Sequence, residues 1–91
     1  MSDVRSTRLA STGTVTAGRG RIVGLHIVCG ASAGSVTLRD GGGSGTTVLV
    51  IDSVASATES HSVLIPGDGI LCGTDIHATL SNVTAVTVFF A

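Results

Sequence analysis

The chain has no lysine, no tryptophan and no tyrosine, and charged residues make up only 12% of its 91 residues. Nucleic-acid-binding proteins generally use clusters of basic residues and aromatic stacking, so this composition argues against nucleic acid as a partner. No apolar run approaches the ~20 residues of a membrane-spanning helix. The first residues, MSDVRSTR, lack the apolar core of a signal peptide. We therefore expect a protein without membrane association, made in a cytosol-like compartment.

The size of the chain sets a second limit. Size scaling gives a folded surface of roughly 4,900 Å² and a radius of gyration near ~12 Å, enough for one domain only. A Rossmann domain, a TIM barrel or an α/β-hydrolase needs considerably more chain. The two cysteines are Cys29 and Cys72. In a reducing compartment we expect both to be reduced and buried, with a disulfide between them as the alternative.

Glycine, serine, threonine and valine are abundant instead. Valine and threonine favour strands, glycine and serine favour turns, and good helix formers are scarce. Apolar and alternating runs predict seven or eight strands, at 14–17, 21–29, 35–40, 46–52, 61–65, 70–72, 76–80 and 84–90. This spacing predicts an all-β fold: a single small antiparallel β-sandwich, jelly-roll-like, over residues 14–91, with an extended N-terminal arm over residues 1–13.

Three turns carry motifs that also occur in functional sites. Gly30–Gly34 reads G-x-S-x-G, as in a nucleophile elbow, but a strand follows instead of a helix, so we interpret it as a turn between antiparallel strands. The glycine-rich run 40–45 lacks the lysine of a phosphate-binding loop and predicts a hairpin loop. Pro66 and Gly67, within Ile65–Gly69, predict a type II turn.

Candidate ligands and catalytic groups do not combine into a site. The candidate metal ligands are His26, His61, His77, Cys29, Cys72 and Asp75. Strand residues three apart face opposite sides, so His26 and Cys29 cannot bind one ion together. Four aspartates fall at predicted strand ends or turns, where aspartate commonly caps its own backbone: Asp40, Asp52, Asp68 and Asp75. We therefore expect no enzyme, no metal and no cofactor.

Positive charge is concentrated at the start of the chain. Residues 1–21 carry Arg5, Arg8, Arg19 and Arg21 against one aspartate, whereas the rest carries one arginine against five acidic residues. A basic leading segment on an acidic body suits assembly of copies or docking on an acidic neighbour. We predict that these four arginines form a docking arm; the alternative is a solvated terminus.

The strands also carry more apolar side chains than one internal layer holds. Both faces of 21–29 and of 46–52 are apolar, and an exposed apolar face usually marks an interface. We predict an oligomer interface at Val23, Leu25, Ile27, Leu49, Ile51 and Phe89. The oligomer number stays open, with a trimer as one option.

The carboxy-terminal third resembles small structural proteins of tailed bacteriophages. Ile65–Ala91 contains a P-G-x-G-I turn, a strand, and a final strand with the pattern T-x-V-T-V-F-F-A. In that family's pattern the final strand ends in Tyr-Gly, where this chain has Phe90 and Ala91. The segments GRIVGLHIV (20–28) and VTLRDG (36–41) also fit. The resemblance implies a virion component, either a capsid decoration (cement) protein or a ring subunit of the head–tail or tail assembly.

Residues and resemblance together predict a non-enzymatic virion protein, assembled in the host cytoplasm. The first expectation is a capsid decoration subunit that forms a homo-oligomer and docks on the major capsid protein or on neighbouring virion proteins. One alternative is a tail or head–tail connector ring subunit. Another is a receptor- or carbohydrate-binding module, against which the scarcity of aromatic side chains argues, because sugars generally stack on tryptophan or tyrosine.

Overall fold

The computed structural model describes residues 4–56, 59–67 and 69–91, and these contain strands and no helix. None of them therefore lies in a helix that could cross a membrane. Nine strands are present in this part of the chain: β1 (Arg5–Leu9), β2 (Gly13–Thr16), β3 (Gly20–Cys29), β4 (Gly34–Asp40), β5 (Thr46–Ser53), β6 (Ser60–Leu64), β7 (Ile70–Cys72), β8 (Ile76–Ser81) and β9 (Val83–Phe90). The predicted all-β class is confirmed.

The strands form two antiparallel sheets. Sheet A has the order β1-β9-β3-β6, with β7 also paired to β3, and sheet B has the order β2-β8-β4-β5. The pairing is nested: β4 pairs with β5, β3 with β6 and β7, β2 with β8, and β1 with β9. A long hairpin rolled up in this way is the topology of a jelly roll. The structure confirms the predicted jelly-roll sandwich.

β6 and β7 are two pieces along the same edge of β3. β6 pairs with the second half of β3 and β7 with its first three residues. Pro66 lies in the interruption, where its missing N–H costs no ladder bond. Gly67 has a φ of 67°, the positive value that the predicted turn requires there. Asp68 of that turn lies outside the described residues.

The predicted N-terminal arm is corrected where the structure describes it. Arg5–Leu9 is an edge strand of sheet A, in register with β9 from Arg5↔Phe90 to Leu9↔Val86. The Thr7 hydroxyl donates to the Val15 carbonyl at 3.0 Å, which ties β1 to β2 of the other sheet. The prediction failed because this strand carries one large apolar residue, Leu9, and an edge strand needs little more. Residues 1–3 lie outside the described ranges.

The core fills the space between the sheets. Its buried members are Val15, Ile22, Leu25, Ile27, Val36, Leu38, Cys72, Ile76, Ala78, Val86, Val88 and Phe90. Val36 and Leu38 point inward, and Cys29 and Cys72 are both buried, free thiols as predicted. The accessible surface is 4740 Å² and the radius of gyration 12.2 Å. These values agree with the size estimates from chain length.

A β-bulge in β3 shifts the alternation of inward and outward side chains at one point. The register with β9 shifts between Ile22 and Gly24, so one residue of β3 is extra at that point. A bulge of this kind breaks the two-residue alternation. Ile22 and Leu25, three positions apart, are consequently both fully buried in the core. Strict two-residue alternation would place Ile22 on one face of the strand and Leu25 and Ile27 on the other.

Candidate functional site

The outer surface of sheet A carries exposed apolar side chains. Phe89 and Leu64 both lie opposite Gly24, and Leu71 lies opposite Arg21. The exposed fractions are 37% for Phe89, 86% for Leu64 and 43% for Leu71. Their strand neighbours Val88, Val63 and Ile70 belong to the core or pack against it. Leu64, Leu71 and Phe89 together are named the apolar face.

Gly24 lies between Leu64 of β6 and Phe89 of β9 and has no side chain that would cover them. A Cβ at this position would lie 3.6 Å from Cδ2 of Leu64, 3.8 Å from Cδ2 of Phe89 and 2.9 Å from the carbonyl oxygen of Val63. Gly24 is buried, so the leucine and phenylalanine side chains approach each other over its backbone. A partner can contact both side chains at once.

Arginines border the apolar face. Arg8 pairs with Thr87 on the same side of the sheet, beside the Ser6↔Phe89 pair, and Arg21 is directly opposite Leu71. Arg19 and Arg21 line an open cleft of about 240 Å³ together with Gly20, Leu71 and Ala91. No strand of sheet A contains an aspartate or glutamate in the described ranges. This side of the molecule is therefore basic around an apolar centre.

Arg5 has a different place from the other predicted docking arginines. Its guanidinium carbon lies 4.9 Å from the centroid of the Phe90 ring. This is a cation–π contact. Arg5 therefore covers a core aromatic side chain at the edge of the sandwich and does not border the apolar face.

The predicted oligomer interface needs correction at two positions. Leu25 and Ile27 are fully buried within the single chain. Leu49 and Ile51 lie opposite Leu38 and Val36 and pack against the core. These four side chains contribute to folding of the chain itself.

Of the same predicted set, Phe89 is exposed, and Val23 is half-buried at the bulge. Sequence reasoning missed Leu64 and Leu71. In the alternation of residues 61–65, Val63 and Ile65 lie on one side of the strand and Leu64 on the other. This position opposite Val63 and Ile65 is the sequence signal that could have identified Leu64 as exposed. Leu71 belongs to a strand of three residues, which is too short for its alternation to be informative.

The outer surface of sheet B is polar except along β5. Serine, threonine, arginine and histidine face each other across β4 and β8: Ser35↔Ser81, Thr37↔Thr79 and Arg39↔His77. On β5, Val50 lies opposite Thr37 and Asp52 opposite Ser35. Val50 is 51% exposed, and Val54, just after the strand, is 53% exposed. Val50, Asp52 and Val54 are named the β5 patch.

One end of the sandwich is closed by a pair of aspartates. The Asp40 carboxylate accepts backbone hydrogen bonds from Thr74 at 2.9 Å, Gly73 at 3.0 Å and Asp75 at 3.4 Å. The bonds from Thr74 and Gly73 hold the pKa of Asp40 below its usual value of 3.8, because they stabilise the charged form. Asp40 thereby fixes the loop between β7 and β8.

Asp75 makes the reciprocal contact. One of its carboxylate oxygens accepts from the N–H groups of Gly41 at 2.9 Å and Gly42 at 3.0 Å. Both glycines have positive φ, 106° and 82°, in the hairpin loop between β4 and β5 that the sequence predicted. Asp40 and Asp75, named the aspartate clasp, thus each cap the other's loop. The expected role of these aspartates in capping backbone is correct, but the backbone belongs to a distant loop.

Neither the clasp nor the histidines form a catalytic or metal-binding arrangement. Burial raises the pKa of the Cys72 thiol to about 11, with further contributions from Asp40 and Asp75, so the thiol stays protonated at neutral pH. Nδ1 of His26 and the hydroxyl of Ser62 form a 2.8 Å hydrogen bond on the outer face of sheet A. The side chain of Cys29 is buried on the inner face of the same sheet. In residues 4–56, 59–67 and 69–91, no three His, Cys, Asp or Glu side chains are placed to hold a metal.

The G-x-S-x-G segment joins the two sheets. It follows β3 in sheet A and leads into β4 in sheet B, so it is a corner and not the hairpin turn that the sequence suggested. Ser32 is exposed in this corner. The strand that follows it confirms the argument against a nucleophile elbow, which requires a helix at that point.

No protein-family model, curated protein or solved structure matches this chain.

Proposed function

We propose that this chain is a non-enzymatic structural subunit of a tailed-phage virion, a capsid decoration protein that forms oligomers and docks on the major capsid protein. The observation that carries the proposal is the apolar face, bordered by Arg8, Arg19 and Arg21. Aromatic and arginine side chains are enriched in protein–protein interfaces, and exposed apolar patches commonly mark them. The chain thus presents exposed leucine, phenylalanine and arginine side chains on one surface, which is the composition of a contact surface.

The chemistry of the remaining polar groups supports a structural role. The carboxylates of Asp40 and Asp75 accept hydrogen bonds from backbone and join two loops. Cys72 is buried and has a raised pKa, which removes the nucleophilic thiolate at neutral pH. The contacts of these groups hold parts of the fold together, which supports a structural role.

The fold supports repeated use in an assembly. Nested pairing brings the two ends of the chain into adjacent strands, so β1 and β9 are held in one sheet. A small rigid unit with a broad contact surface can be placed many times on a shell, and several weak contacts per oligomer then add through effective concentration. The residue patterns shared with phage structural proteins support the virion as that assembly.

The test is the position of the protein in purified virions, identified by mass spectrometry and located by electron cryomicroscopy. We expect many copies on the capsid surface, at threefold or quasi-threefold positions. Density at a sixfold or twelvefold axis of the tail or the head–tail junction would replace the decoration role with that of a connector ring subunit. Absence of the chain from virions would contradict both roles.

A further inference from the structure

The exposed large apolar side chains fall on two separate surfaces. Leu64, Leu71 and Phe89 form the apolar face on sheet A, and Val50 and Val54 belong to the β5 patch on sheet B. The remaining one in the described ranges, Val4, precedes β1. The two surfaces lie on different sheets, so one copy can use both at the same time.

The two surfaces carry opposite charge. The strands of sheet A contain Arg5, Arg8 and Arg21 and no acidic residue. The strands of sheet B contain Arg39, whose guanidinium donates to the Thr47 hydroxyl at 2.9 Å, and two aspartates.

Of these two aspartates, Asp40 is used in the clasp, which leaves Asp52 as the exposed charge of β5. Asp52 stands between Val50 and Val54 in the sequence of the patch. The β5 patch therefore has an apolar–acidic–apolar pattern, whereas the apolar face has arginines around apolar side chains.

We propose that the apolar face of one copy packs on the β5 patch of a second copy, with Arg8 and Arg21 of the first around Asp52 of the second. The inference rests on the proposed structural function and names the contact that builds the oligomer. Apolar side chains then meet apolar side chains, and charges of opposite sign meet at the border of the contact.

Charge also argues against the symmetric alternative. If two apolar faces packed on each other, Arg8 and Arg21 of both copies would be brought together without an acidic residue from either sheet A. Like charges in an interface oppose association. The contact between unlike surfaces is heterologous, and repeating it gives a closed ring when the rotation closes.

The surface area of the chain allows both contacts at once. A standard interface buries about 800 Å² on each partner. The whole chain exposes 4740 Å². Two such contacts per copy would cover about one third of that surface, which leaves room for docking on a shell.

The experiment is sedimentation equilibrium of the full-length chain at low salt, with two charge-reversal variants. Arg8→Asp and Asp52→Arg are both at exposed positions, so each variant should keep the fold. We expect the wild type to self-associate and each variant alone to associate at least about tenfold more weakly. An equimolar mixture of the two variants should associate more strongly than either variant alone, because one of the two mixed contacts is the native contact and the other carries the Arg8–Asp52 pair with its charges exchanged.

Two further variants separate the apolar contribution from general effects of substitution. Leu64→Ser should weaken association at low and at high salt, whereas the charge reversals lose their effect at high salt because screening shortens the range of the interaction. Thr14→Asp, an exposed substitution on β2 at the opposite edge of sheet B, should leave association unchanged. Thermal unfolding of each variant checks that it is folded.

Three results would overturn the proposed contact. These are a wild type that sediments as a monomer up to its solubility limit, an Asp52→Arg variant that associates like the wild type, and a mixture that associates no more strongly than either variant alone. The virion experiment fails or succeeds independently: single copies located on the capsid would refute the contact between copies and keep the decoration role on the capsid. Heterologous association of a chain that is absent from virions would support the contact and refute the proposed function.

Discussion

At the scale of single residues, two glycines of the G-x-S-x-G sequence allow the backbone of another turn to pack closely against them. A Cβ on Gly30 would overlap the carbonyl oxygen of Asn82, and a Cβ on Gly34 would overlap that of Ser81. Asn82 has a φ of 55° in the tight connection between β8 and β9, which carries the backbone into this position. The motif therefore marks a place where two turns lie against each other.

Gly34→Ala tests this interpretation. The methyl group would force backbone apart, so we expect a loss of about 2–3 kcal/mol in the free energy of unfolding, in the range of overpacked positions. The melting temperature should fall by roughly 10 °C or more. Gly18→Ala is the matched control, because a Cβ there meets nothing within 4 Å. Equal melting temperatures for the two variants would show that the Ser81–Asn82 corner moves away without cost.

At the scale of elements, apolar and alternating runs were sufficient to predict seven or eight strands, from residues 14–17 to residues 84–90. They failed for β1, because Arg5–Leu9 is mostly polar and its stability comes from pairing with β9. They also failed for the faces of β3, since the bulge beside Gly24 depends on the register with a neighbouring strand. Sequence periodicity reports which residues alternate, but pairing determines where the alternation shifts.

The aspartate clasp shows the same limit for the polar groups. Both aspartates were expected at strand ends, where they cap backbone. Their partners could not be predicted, because Asp40 and the loop that it caps are up to 35 residues apart. Only the nested pairing of strands brings the β4–β5 and β7–β8 loops to one end of the sandwich. The arginines and the exposed Phe89 of the apolar face were identified from sequence, and Leu64 and Leu71 were not.

Asp40→Asn tests the clasp through its pH dependence. The folded-state pKa of Asp40 is lowered from 3.8, so its contribution to stability is complete above the unfolded pKa and is lost as the pH falls through the lower folded pKa. Urea unfolding should show the wild type losing stability as the pH falls through 3.8 and below it. The variant should be less stable than the wild type at neutral pH and should lose less on acidification.

The control for this measurement is Asp52→Asn, which removes an exposed carboxylate of β5 outside the clasp. We expect this variant to follow the wild-type pH profile more closely than Asp40→Asn does. If the stability of Asp40→Asn fell in parallel with the wild type over the acid range, the backbone bonds from Thr74 and Gly73 would not favour the charged carboxylate.

At the scale of the whole molecule, the nested topology orders the contacts by the length of chain that each must close. The β4–β5 hairpin closes a short glycine-rich loop, whereas pairing of β1 with β9 brings Arg5 against Phe90 from opposite ends of the chain. Closing a longer loop costs more conformational entropy, and folds dominated by distant contacts fold in about milliseconds to seconds. We infer that pairing proceeds outward from the β4–β5 hairpin, with β1 added last.

Leu49→Ala and Leu9→Ala test this order with a matched pair of partly buried leucines. Leu49 lies opposite Leu38 in the first hairpin, and Leu9 lies opposite Val86 in the outermost pair. In stopped-flow measurements Leu49→Ala should mainly slow refolding, with a φ-value of about 0.5 or higher, and Leu9→Ala should mainly speed unfolding, with a φ-value below about 0.3. The reverse pattern would mean that the ends of the chain meet first, and that the sandwich closes from sheet A inward.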